Sequence, residues 1–476
     1  MRDALPLDAR TATLLPWIVA IAFFMQTLDG TILNTALPAM AASLQESPLH
    51  MQSAVIAYML TVAMLIPASG WLADRFGSRR VFVAAILLFS LGSLACALSP
   101  SLPVLAAARV AQGIGGALMM PVGRLIILRH YPREELVRVM GFVTIPGLMG
   151  PLVGPALGGW LVEYATWHWI FLINLPVGAL GCLVALRYLP EMRPGAPSRF
   201  DWLGFLLFGA SMVLLSLALE GLGELRLAHA KVMLLLLAGL ACLAAYWLHA
   251  ARAEAPLFSL RLFHTHTFAV GILGNLFARL GSGSMPFLTP LLLQVALGYS
   301  PVEAGMTMVP LALAAMSAKA VAKPLLERAG YRRVLLGNTL LLGVLIAGFA
   351  AIDAGTSKVW LYAYLAIFGA ANSIQFTAMN TLTLIDLDRD AASSGNSLLS
   401  VVMQLSMSLG IAAAAALLGG FVDLQQAPAP EQILGGFRMT YLCVGGLSLL
   451  AGAIILQLSA QDGALRTPPP HDTSHE

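Results

Sequence analysis

Long apolar segments separated by short polar loops limit the fold of this chain more than any other feature. Hydrophobic residues make up 58% of the 476 residues and charged residues only 11%, whereas about 25% of a soluble domain is charged. The segments are close to the ~20 residues with which a helix crosses a bilayer. A lone segment in lipid must satisfy its own backbone hydrogen bonds, which a helix does. We therefore predict an all-α, polytopic membrane protein.

Fourteen transmembrane helices are predicted from these segments. They lie at about residues 14–38, 52–72, 81–99, 103–126, 137–160, 169–189, 202–221, 231–249, 267–295, 303–322, 333–352, 359–384, 396–421 and 437–458. The first segment is too long for the apolar part of a cleaved signal peptide, so we expect it to be retained. No soluble stretch is large enough to hold an active site, and the histidines are scattered. We therefore expect neither an enzyme nor a sensor with a soluble output domain.

A short charged turn occurs twice along the chain, with the two copies 253 residues apart. The matched pairs are Asp74 with Glu327, Arg75 with Arg328, Gly77 with Gly330, Arg79 with Arg332, and Arg80 with Arg333. Such a repeat indicates two related halves, as in many transporters. We predict six-helix bundles at residues 1–189 and 267–460. Residues 190–266 would form a linker and two inserted helices, and residues 461–476 a disordered cytoplasmic tail.

The basic residues are distributed unevenly between the predicted loops. We place 19 of the 27 Lys and Arg residues in the N-terminus, the even-to-odd loops and the C-terminal tail. An excess of basic residues marks the cytoplasmic side, so both termini are predicted in the cytoplasm, below a bacterial inner membrane. These residues set topology, and no nucleic-acid partner is expected. The four cysteines lie inside apolar segments without metal-ligand spacing, so we expect neither a metal nor a cofactor.

Five motifs together resemble those of a known transporter family. They are Leu28–Pro38 in the first helix, the turn Gly70–Arg80, Arg109–Ala117 in the fourth helix, Gly147–Gly159 in the fifth, and Trp167–Pro176 at the start of the sixth. Over nearly its whole length the chain is similar to the major facilitator superfamily, and within it to the fourteen-helix drug:proton antiporters. The resemblance implies a monomer that exchanges a small-molecule substrate for protons, by alternating access between two bundles.

The charged turn is predicted to gate the cytoplasmic side. The predicted gating residues are Asp74, Arg75, Arg79, Arg80, Glu327 and Arg328. The first two follow the second helix, where they can bridge to the opposite bundle while that side is closed. Opening must break those contacts, so the turn would bias a two-state equilibrium. The alternative is that the arginines only anchor the topology, which accounts for Arg79 and Arg80 but not for the matched acid.

Asp29 and Arg109 are the predicted proton-coupling pair. Asp29 lies near the middle of the first helix, where an ionised carboxylate must pair, face water or take up a proton. Arg109 lies about two turns into the fourth helix and is its natural partner, with Gln112 on the same face. Gln26 precedes Asp29 by three residues. The resemblance assigns Arg109 to proton coupling. A locked structural ion pair and an arginine bonded to backbone carbonyls are the alternatives.

The fifth helix carries small residues and prolines in a regular pattern. The motif residues are Gly150, Pro151, Gly154, Pro155, Gly158 and Gly159. Glycines every four residues allow a neighbouring helix to approach within backbone contact, and prolines bend a helix. The resemblance treats this motif as a mark of antiporters that export their substrate. A pure packing role is equally physical and compatible with it.

The second half contains the predicted substrate pocket. Its candidate residues are Arg279, Asn372, Gln375, Phe376, Asn396 and Gln404, joined by Gln26 and Gln112 from the first half. A guanidinium at the depth of Arg279 is costly unless it has a function, whereas each of the others is also typical of ordinary polar packing.

The sequence thus predicts a proton-coupled efflux antiporter of the multidrug-exporter type. Arg109 and Arg279 outnumber Asp29 inside the predicted helices, and helix thirteen has Gln404 where some family members carry an acid. This weakens the case for dicationic drugs and leaves room for the alternative, an exporter of organic anions or of metal–organic-acid chelates such as iron citrate.

Overall fold

The computed structural model describes residues 9–190, 199–223, 229–423, 428–459 and 462. All regular secondary structure within those residues is helical, so the all-α prediction is confirmed. The helices of the first half are α1 (Ala9–Ile32), α2 (Leu37–Leu44), α3 (Gln52–Leu65), α4 (Ala68–Phe76), α5 (Ser78–Ala97), α6 (Leu102–His130), α7 (Arg133–Tyr164), α8 (Trp169–Leu172) and α9 (Asn174–Tyr188). The inserted pair is α10 (Trp202–Gly223) and α11 (His229–Ala250).

The second half continues with eight helices in the described residues. They are α12 (His266–Ser282), α13 (Met285–Leu291), α14 (Pro301–Thr307), α15 (Val309–Ala329), α16 (Tyr331–Gly348), α17 (Lys358–Ile385), α18 (Arg389–Phe421) and α19 (Pro430–Ile455). The predicted division at residues 189 and 267 stays a prediction. The predicted linker and tail lie almost wholly outside the described residues.

All fourteen predicted segments are helical, but some are broken. The second segment is α3 and α4, which are bent by 61° at Pro67, a residue without a backbone N–H. The ninth is α12, α13 and a π-helical turn at Leu292–Ala296. Among the described residues, twelve helices are long and apolar enough to cross a membrane, or thirteen with the bent pair. The ninth segment is not among these thirteen, because its longest helix has only 17 residues. Counting it gives the fourteen predicted segments.

The two copies of the charged turn have the same backbone geometry. Gly77 joins α4 to α5 at φ 92°, and Gly330 joins α15 to α16 at φ 77°. Only glycine adopts such angles readily, which explains why both copies carry it. The first turn differs from the prediction in one respect: Asp74 and Arg75 lie within the last turn of α4, not beyond the helix.

The inserted pair packs against both halves. Helix α10 contacts α3 of the first half and α18 of the second. At its start, the rings of Phe200 and Trp202 lie 5.2 and 5.4 Å from Trp71 of α4. Aromatic pairs at such distances add to the stabilisation from burial. The insertion therefore touches the helix that carries the first charged turn.

Asp201 braces the inserted pair. Its Oδ1 lies 2.7 Å from Nε2 of His249 on α11 and accepts a hydrogen bond from the Gly204 N–H at 2.8 Å. Its Oδ2 accepts one from the Leu257 N–H at 3.0 Å. Burial alone would raise the pKa of Asp201, but these hydrogen bonds outweigh it and hold the pKa below the ordinary value of 3.8.

An Asp201→Ala variant is expected to be less stable by about 1–3 kcal/mol, because it leaves the partly buried N–H groups of Gly204 and Leu257 without their acceptor. A carboxyl whose pKa is lower in the folded state stabilises the fold above its unfolded pKa and loses that effect as the pH falls. The difference between the variant and the wild type should therefore be full above pH 3.8 and shrink as the pH falls below that value through the lowered pKa of folded Asp201. Thermal unfolding in detergent across this range measures the difference. Glu254→Ala, which removes an exposed carboxylate from the loop that contains Leu257, is the matched control and should unfold like wild type throughout.

The two halves meet closely at one end of the molecule. We call the end where α1 begins and α19 finishes the terminal side, and the other end the far side. At the far side, α7 of the first half packs against α14 of the second. A Cβ on Gly159 would collide with the Pro301 carbonyl, and one on Gly305 with the Pro155 carbonyl. The halves are thus in backbone contact at the far side.

Candidate functional site

A buried cluster of charged and polar side chains lies inside the first half. Asp29 on α1 and Arg109 on α6 are each 1% exposed, and Gln112 is 0% exposed. Arg109 Nη1 donates to Asp29 Oδ2 at 2.6 Å, and Gln112 Nε2 donates to Asp29 Oδ1 at 2.7 Å. Arg109 Nη1 also donates to Gln112 Oε1 at 2.7 Å. The three side chains form a closed triangle, and the predicted partners Asp29 and Arg109 are in direct contact.

Two further contacts fix the guanidinium of Arg109. Its Nε donates to the backbone carbonyl of Ala54 on α3 at 3.2 Å. Its central carbon lies 4.1 Å from the ring centre of Tyr58, one turn along α3, a distance at which an aromatic face attracts a cation. Arg109 therefore bonds to both a carboxylate and a backbone carbonyl.

A second group of polar side chains supports the carboxylate of Asp29. Asn174 Nδ2 lies 3.4 Å from Asp29 Oδ1 and donates to Ser93 Oγ at 3.0 Å. Ser93 Oγ donates to the carbonyl of Phe171 at 3.0 Å. The buried carboxylate is thus surrounded by donors, as a charge in a membrane interior requires.

Glycines in the helices explain how so many side chains reach one point. A Cβ on Gly92 of α5 would collide with the backbone of Gln112, and one on Gly115 of α6 with the backbone of Phe89. A Cβ on Gly113 of α6 would likewise crowd the backbone of Tyr58, and one on Gly116 would crowd the Tyr58 side chain. Because glycine has no side chain, the helices can approach closely at these positions. Helix α6 therefore packs tightly between α3 and α5.

Sequence reasoning did not identify Tyr58, Ser93 and Asn174 as members of this cluster. Asn174 carried a signal, since it lies in the motif Trp167–Pro176, two residues before Pro176, where α8 ends and α9 begins. That break directs the amide into the bundle. Tyr58 and Ser93 are ordinary residues of apolar helices and carried no signal of their own.

The motif on the fifth helix packs α7 onto α1. A Cβ on Gly150 would collide with Thr27, one on Gly154 with Thr31, and one on Gly158 with the Ile32 carbonyl. Thr31 Oγ1 donates to the Gly150 carbonyl at 3.2 Å. The fourth motif glycine, Gly159, faces the second half instead, as described above. Pro151 lies within α7 among these glycines, and the Pro155 carbonyl accepts a hydrogen bond from Thr35 Oγ1 at 3.3 Å.

Arg279 lines a cleft in the second half together with three other predicted residues. The cleft is lined by Asn275, Arg279, Ser282, Asn372, Gln375, Phe376 and Met379. Arg279 Nε donates to Asn275 Oδ1 at 3.2 Å, and its central carbon lies 4.3 Å from the ring centre of Phe376. Its Nη2 is buried and has no hydrogen-bond partner among the described residues. Asn275 was missed, although it lies one helical turn before Arg279.

The other predicted substrate residues are placed differently. Gln375 hydrogen-bonds to Asn338 at 2.9 Å and to Thr339 at 2.8 Å, so its amide is largely engaged within the second half. Asn396 is exposed and Gln404 half-buried on α18, and neither lines the Arg279 cleft. Gln26 is half-buried on α1, and its Oε1 has no hydrogen-bond partner in the described part of the chain.

Two charged side chains of the first turn, Asp74 and Arg79, are hydrogen-bonded within their own half. Asp74 accepts a hydrogen bond from Arg129 Nη2 of α6 at 2.6 Å, and Arg79 donates to the carbonyl of Leu186 at the end of α9. Arg75 and Arg80 are exposed. The expected bridge from Asp74 to the opposite half is therefore not the contact made in this conformation, in which the halves touch at the far side.

The charged side chains at the start of the second turn are exposed to solvent. Glu327 and Arg328 are both exposed at the end of α15. Glu327 lies 3.8 Å from Lys323 of the same helix, and an exposed pair of this kind contributes little to stability.

Comparison with known proteins identifies the family. The sequence pattern of the Major Facilitator Superfamily matches residues 19–411, and the chain belongs to this superfamily. A relative from Pectobacterium carotovorum, which bears the name multidrug resistance protein MdtD, is 53% identical over 427 residues, covering 90% of this chain and 91% of that protein. Its namesake from Serratia proteamaculans is 49% identical over 452 residues, covering 95% of this chain and 94% of its own.

Solved structures of transporters share the fold. A POT family transporter in complex with 5-aminolevulinic acid has a TM-score of 0.67 at 16% identity, covering 93% of this chain and 94% of its own. A D-xylose-proton symporter has a TM-score of 0.66 at 14% identity, covering 95% of this chain and 99% of its own. The predicted family and fold are confirmed. The chain is a multi-pass membrane transporter and not an enzyme.

Proposed function

We propose that this chain is a proton-coupled exporter that exchanges an outgoing small molecule for incoming protons. The observation that carries the proposal is the buried carboxylate of Asp29, held by Arg109 and Gln112 inside the first half. An ionisable group at such depth in a membrane protein marks a proton or substrate pathway. The relatives named as multidrug resistance proteins support outward transport.

Protonation of Asp29 changes the balance of charge in the cluster. The ionised carboxylate attracts Arg109 strongly, because the pair is removed from water. A neutral carboxyl group keeps a hydrogen bond but loses that attraction, so the guanidinium becomes the uncompensated charge. Such a change biases a two-state equilibrium between conformations. Asp29 is the proton carrier in this scheme, and Arg109 couples its charge to the helices α3 and α6.

The observed contacts support an arrangement open to the cytoplasm. The halves touch at the far side through Gly159 and Gly305, while Arg75 and Arg80 of the terminal side are exposed. The basic loops assign the terminal side to the cytoplasm of a bacterial inner membrane. Alternating access then requires the far-side contact to open while the charged turn closes the terminal side. The transporter functions as a monomer in this scheme.

A second candidate cargo class is anionic. Arg279 Nη2 is buried without a hydrogen-bond partner among the described residues, beside the amides of Asn275 and Asn372. A guanidinium binds a carboxylate through paired hydrogen bonds. This observation favours an organic acid, or a metal held by organic acids, such as iron citrate, as the exported molecule.

Proton flux in inside-out membrane vesicles tests the proposed function. With an acidic interior, addition of the cargo should release protons, and the panel should include cationic dyes, organic acids and iron citrate. Vesicles without the protein, and vesicles treated with an uncoupler, are the controls. Cargo uptake that persists unchanged after the pH gradient is collapsed would contradict proton coupling. The compound that triggers release identifies the charge class of the cargo.

If the cargo is anionic, Arg279→Gln should reduce its transport on the order of tenfold or more, since hydrogen bonds to charged groups contribute about 1.5–3 kcal/mol. The loss should appear mainly in KM, and Arg279→Lys should restore part of it by keeping the charge. Arg124→Gln, which removes a half-buried arginine of α6, is the matched control and should transport normally. Equal loss in both variants would indicate a general effect of removing a cation.

A further inference from the structure

A carboxylate from the first half is hydrogen-bonded to the second half at the far side. Glu163 lies in the last turn of α7. Its Oε2 accepts a hydrogen bond from Ser300 Oγ at 2.7 Å and another from the Val302 N–H at 3.0 Å. Both donors belong to the start of α14, in the second half. No predicted function was attached to Glu163.

The position of Glu163 relates it to the backbone contact between the halves. It follows Gly159 by four residues and so lies on the same face of α7. Gly159 itself lies against the carbonyl of Pro301. In the sequence, Pro301 stands between Ser300 and Val302, which supply the two donors to Glu163. The carboxylate and the glycine thus contact the same short segment, Ser300–Val302.

The segment that donates hydrogen bonds to Glu163 is itself held by hydrogen bonds within the second half. Ser300 Oγ also accepts from the Glu303 N–H at 3.3 Å, and Glu303 accepts from the Ser300 N–H at 3.2 Å. Lys358 of α17 donates to Glu303 at 2.9 Å. A hydrogen bond from Glu163 therefore connects α7 to a braced part of the second half and not to a free loop.

We propose that Glu163 is the latch of the far-side gate: its carboxylate holds α7 on the Ser300–Val302 segment while the far side is closed, and releases it when the far side opens. The inference rests on the proposed alternating access. Glu163 is exposed, so water replaces both donors when the halves part. The net cost of opening is then modest, because protein–water hydrogen bonds replace protein–protein ones. A latch of this strength biases the equilibrium without preventing transport.

Distances between spin labels on the two halves test the latch. Leu98→Cys at the end of α5 and Val359→Cys at the start of α17 are exposed far-side positions, in a background whose four native cysteines are replaced by Ala. Leu128→Cys and Val321→Cys provide an exposed terminal-side pair. Double electron–electron resonance in lipid nanodiscs reports the two distances for each variant.

Glu163→Ala should lengthen the far-side distance and raise the population of the far-side-open state on the order of tenfold, as the loss of hydrogen bonds to a charged group implies. Glu163→Gln keeps an acceptor oxygen without the charge and should give an intermediate shift. Glu134→Ala removes the same charge from the other end of α7, where it is exposed, and should leave the distribution unchanged. An unchanged far-side distance in Glu163→Ala, or an equal shift in Glu134→Ala, would overturn the proposal.

Ser300→Ala separates the hydrogen bond from the charge of Glu163. If the two side chains act through their contact, the shift in Glu163→Ala/Ser300→Ala should be smaller than the sum of the single shifts; additive shifts would overturn the proposed contact. The terminal-side pair distinguishes the latch from the proposed function. Far-side opening with a matching terminal-side closure supports both. Far-side opening with an unchanged terminal-side distance supports the latch and contradicts alternating access.

Discussion

Asp29→Asn vesicles are expected to show no cargo-driven proton release, at the level of vesicles without the protein. The amide keeps hydrogen-bonding capacity toward Gln112 but neither binds a proton in the relevant range nor balances Arg109, which lies 2.6 Å away in the wild type. Removing one partner of a buried ion pair costs roughly 3–5 kcal/mol, so a lower yield of folded protein is also expected. Proton release is measured with a pH-sensitive dye in inside-out vesicles, at matched amounts of protein.

A neutral pair of substitutions separates folding from transport in this experiment. Asp29→Asn/Arg109→Gln removes both charges and should recover most of the lost stability, because neither partner is left unpaired. It should recover none of the proton release, since the carboxyl group proposed to carry the proton is absent from both variants. Full proton release from folded Asp29→Asn protein would place the coupling group elsewhere. Loss of transport in the single variant with recovery in the double variant would indicate that the pair is only structural.

Gly159→Val is expected to stop transport by holding the far side open. A side chain at this position collides with the Pro301 carbonyl only while α7 and α14 are in contact, so it disfavours that conformation alone. Overpacking costs about 1–3 kcal/mol, which corresponds to a shift of roughly 5–150-fold between the two conformations. The far-side distance between spin labels at positions 98 and 359 should lengthen accordingly, and cargo transport should fall with it.

Gly141→Val is the matched control for this prediction. Gly141 lies on the same helix, α7, and a Cβ there meets no atom within 4 Å. The control should fold, keep the wild-type distance at the far side and transport normally. A Gly159→Val protein that transports at the wild-type rate would show that the far-side contact does not have to close during the cycle.

The fourteen helices and the central ion pair were predictable because both follow from the cost of polar groups in lipid. Segment lengths indicated the helices, and the breaks at Pro67 and within the ninth segment left their positions unchanged. Asp29 was the single carboxylate placed deep in a helix, so Arg109 was its natural partner. A deep charge without a partner is costly, and this rule identified the pair without knowledge of the packing.

The supporting contacts were not predictable, because they depend on which face of each helix turns inward. Ser93 is indistinguishable in the sequence from other serines of apolar helices, yet its hydroxyl is 3.0 Å from Asn174. Asp74 was expected to bridge to the opposite half while the cytoplasmic side is closed; in the conformation described it pairs with Arg129 of its own half, and its gating role stays a prediction. A charge pair between two loops depends on the conformation of the transporter, which a sequence does not specify.

If Asp29 carries the proton, as proposed, the buried cluster has a consequence for how that proton is exchanged. Asp29, Arg109, Gln112 and Asn174 all lie on helices of the first half, so they travel together when that half tilts against the other. Rocking alone leaves the spacing between them unchanged. In the proposed cycle the switch is then hydration: the side of the membrane from which water reaches Asp29 determines whether its carboxyl group is protonated. On this view the second half acts as a movable lid that exposes the carboxylate to one aqueous reservoir at a time.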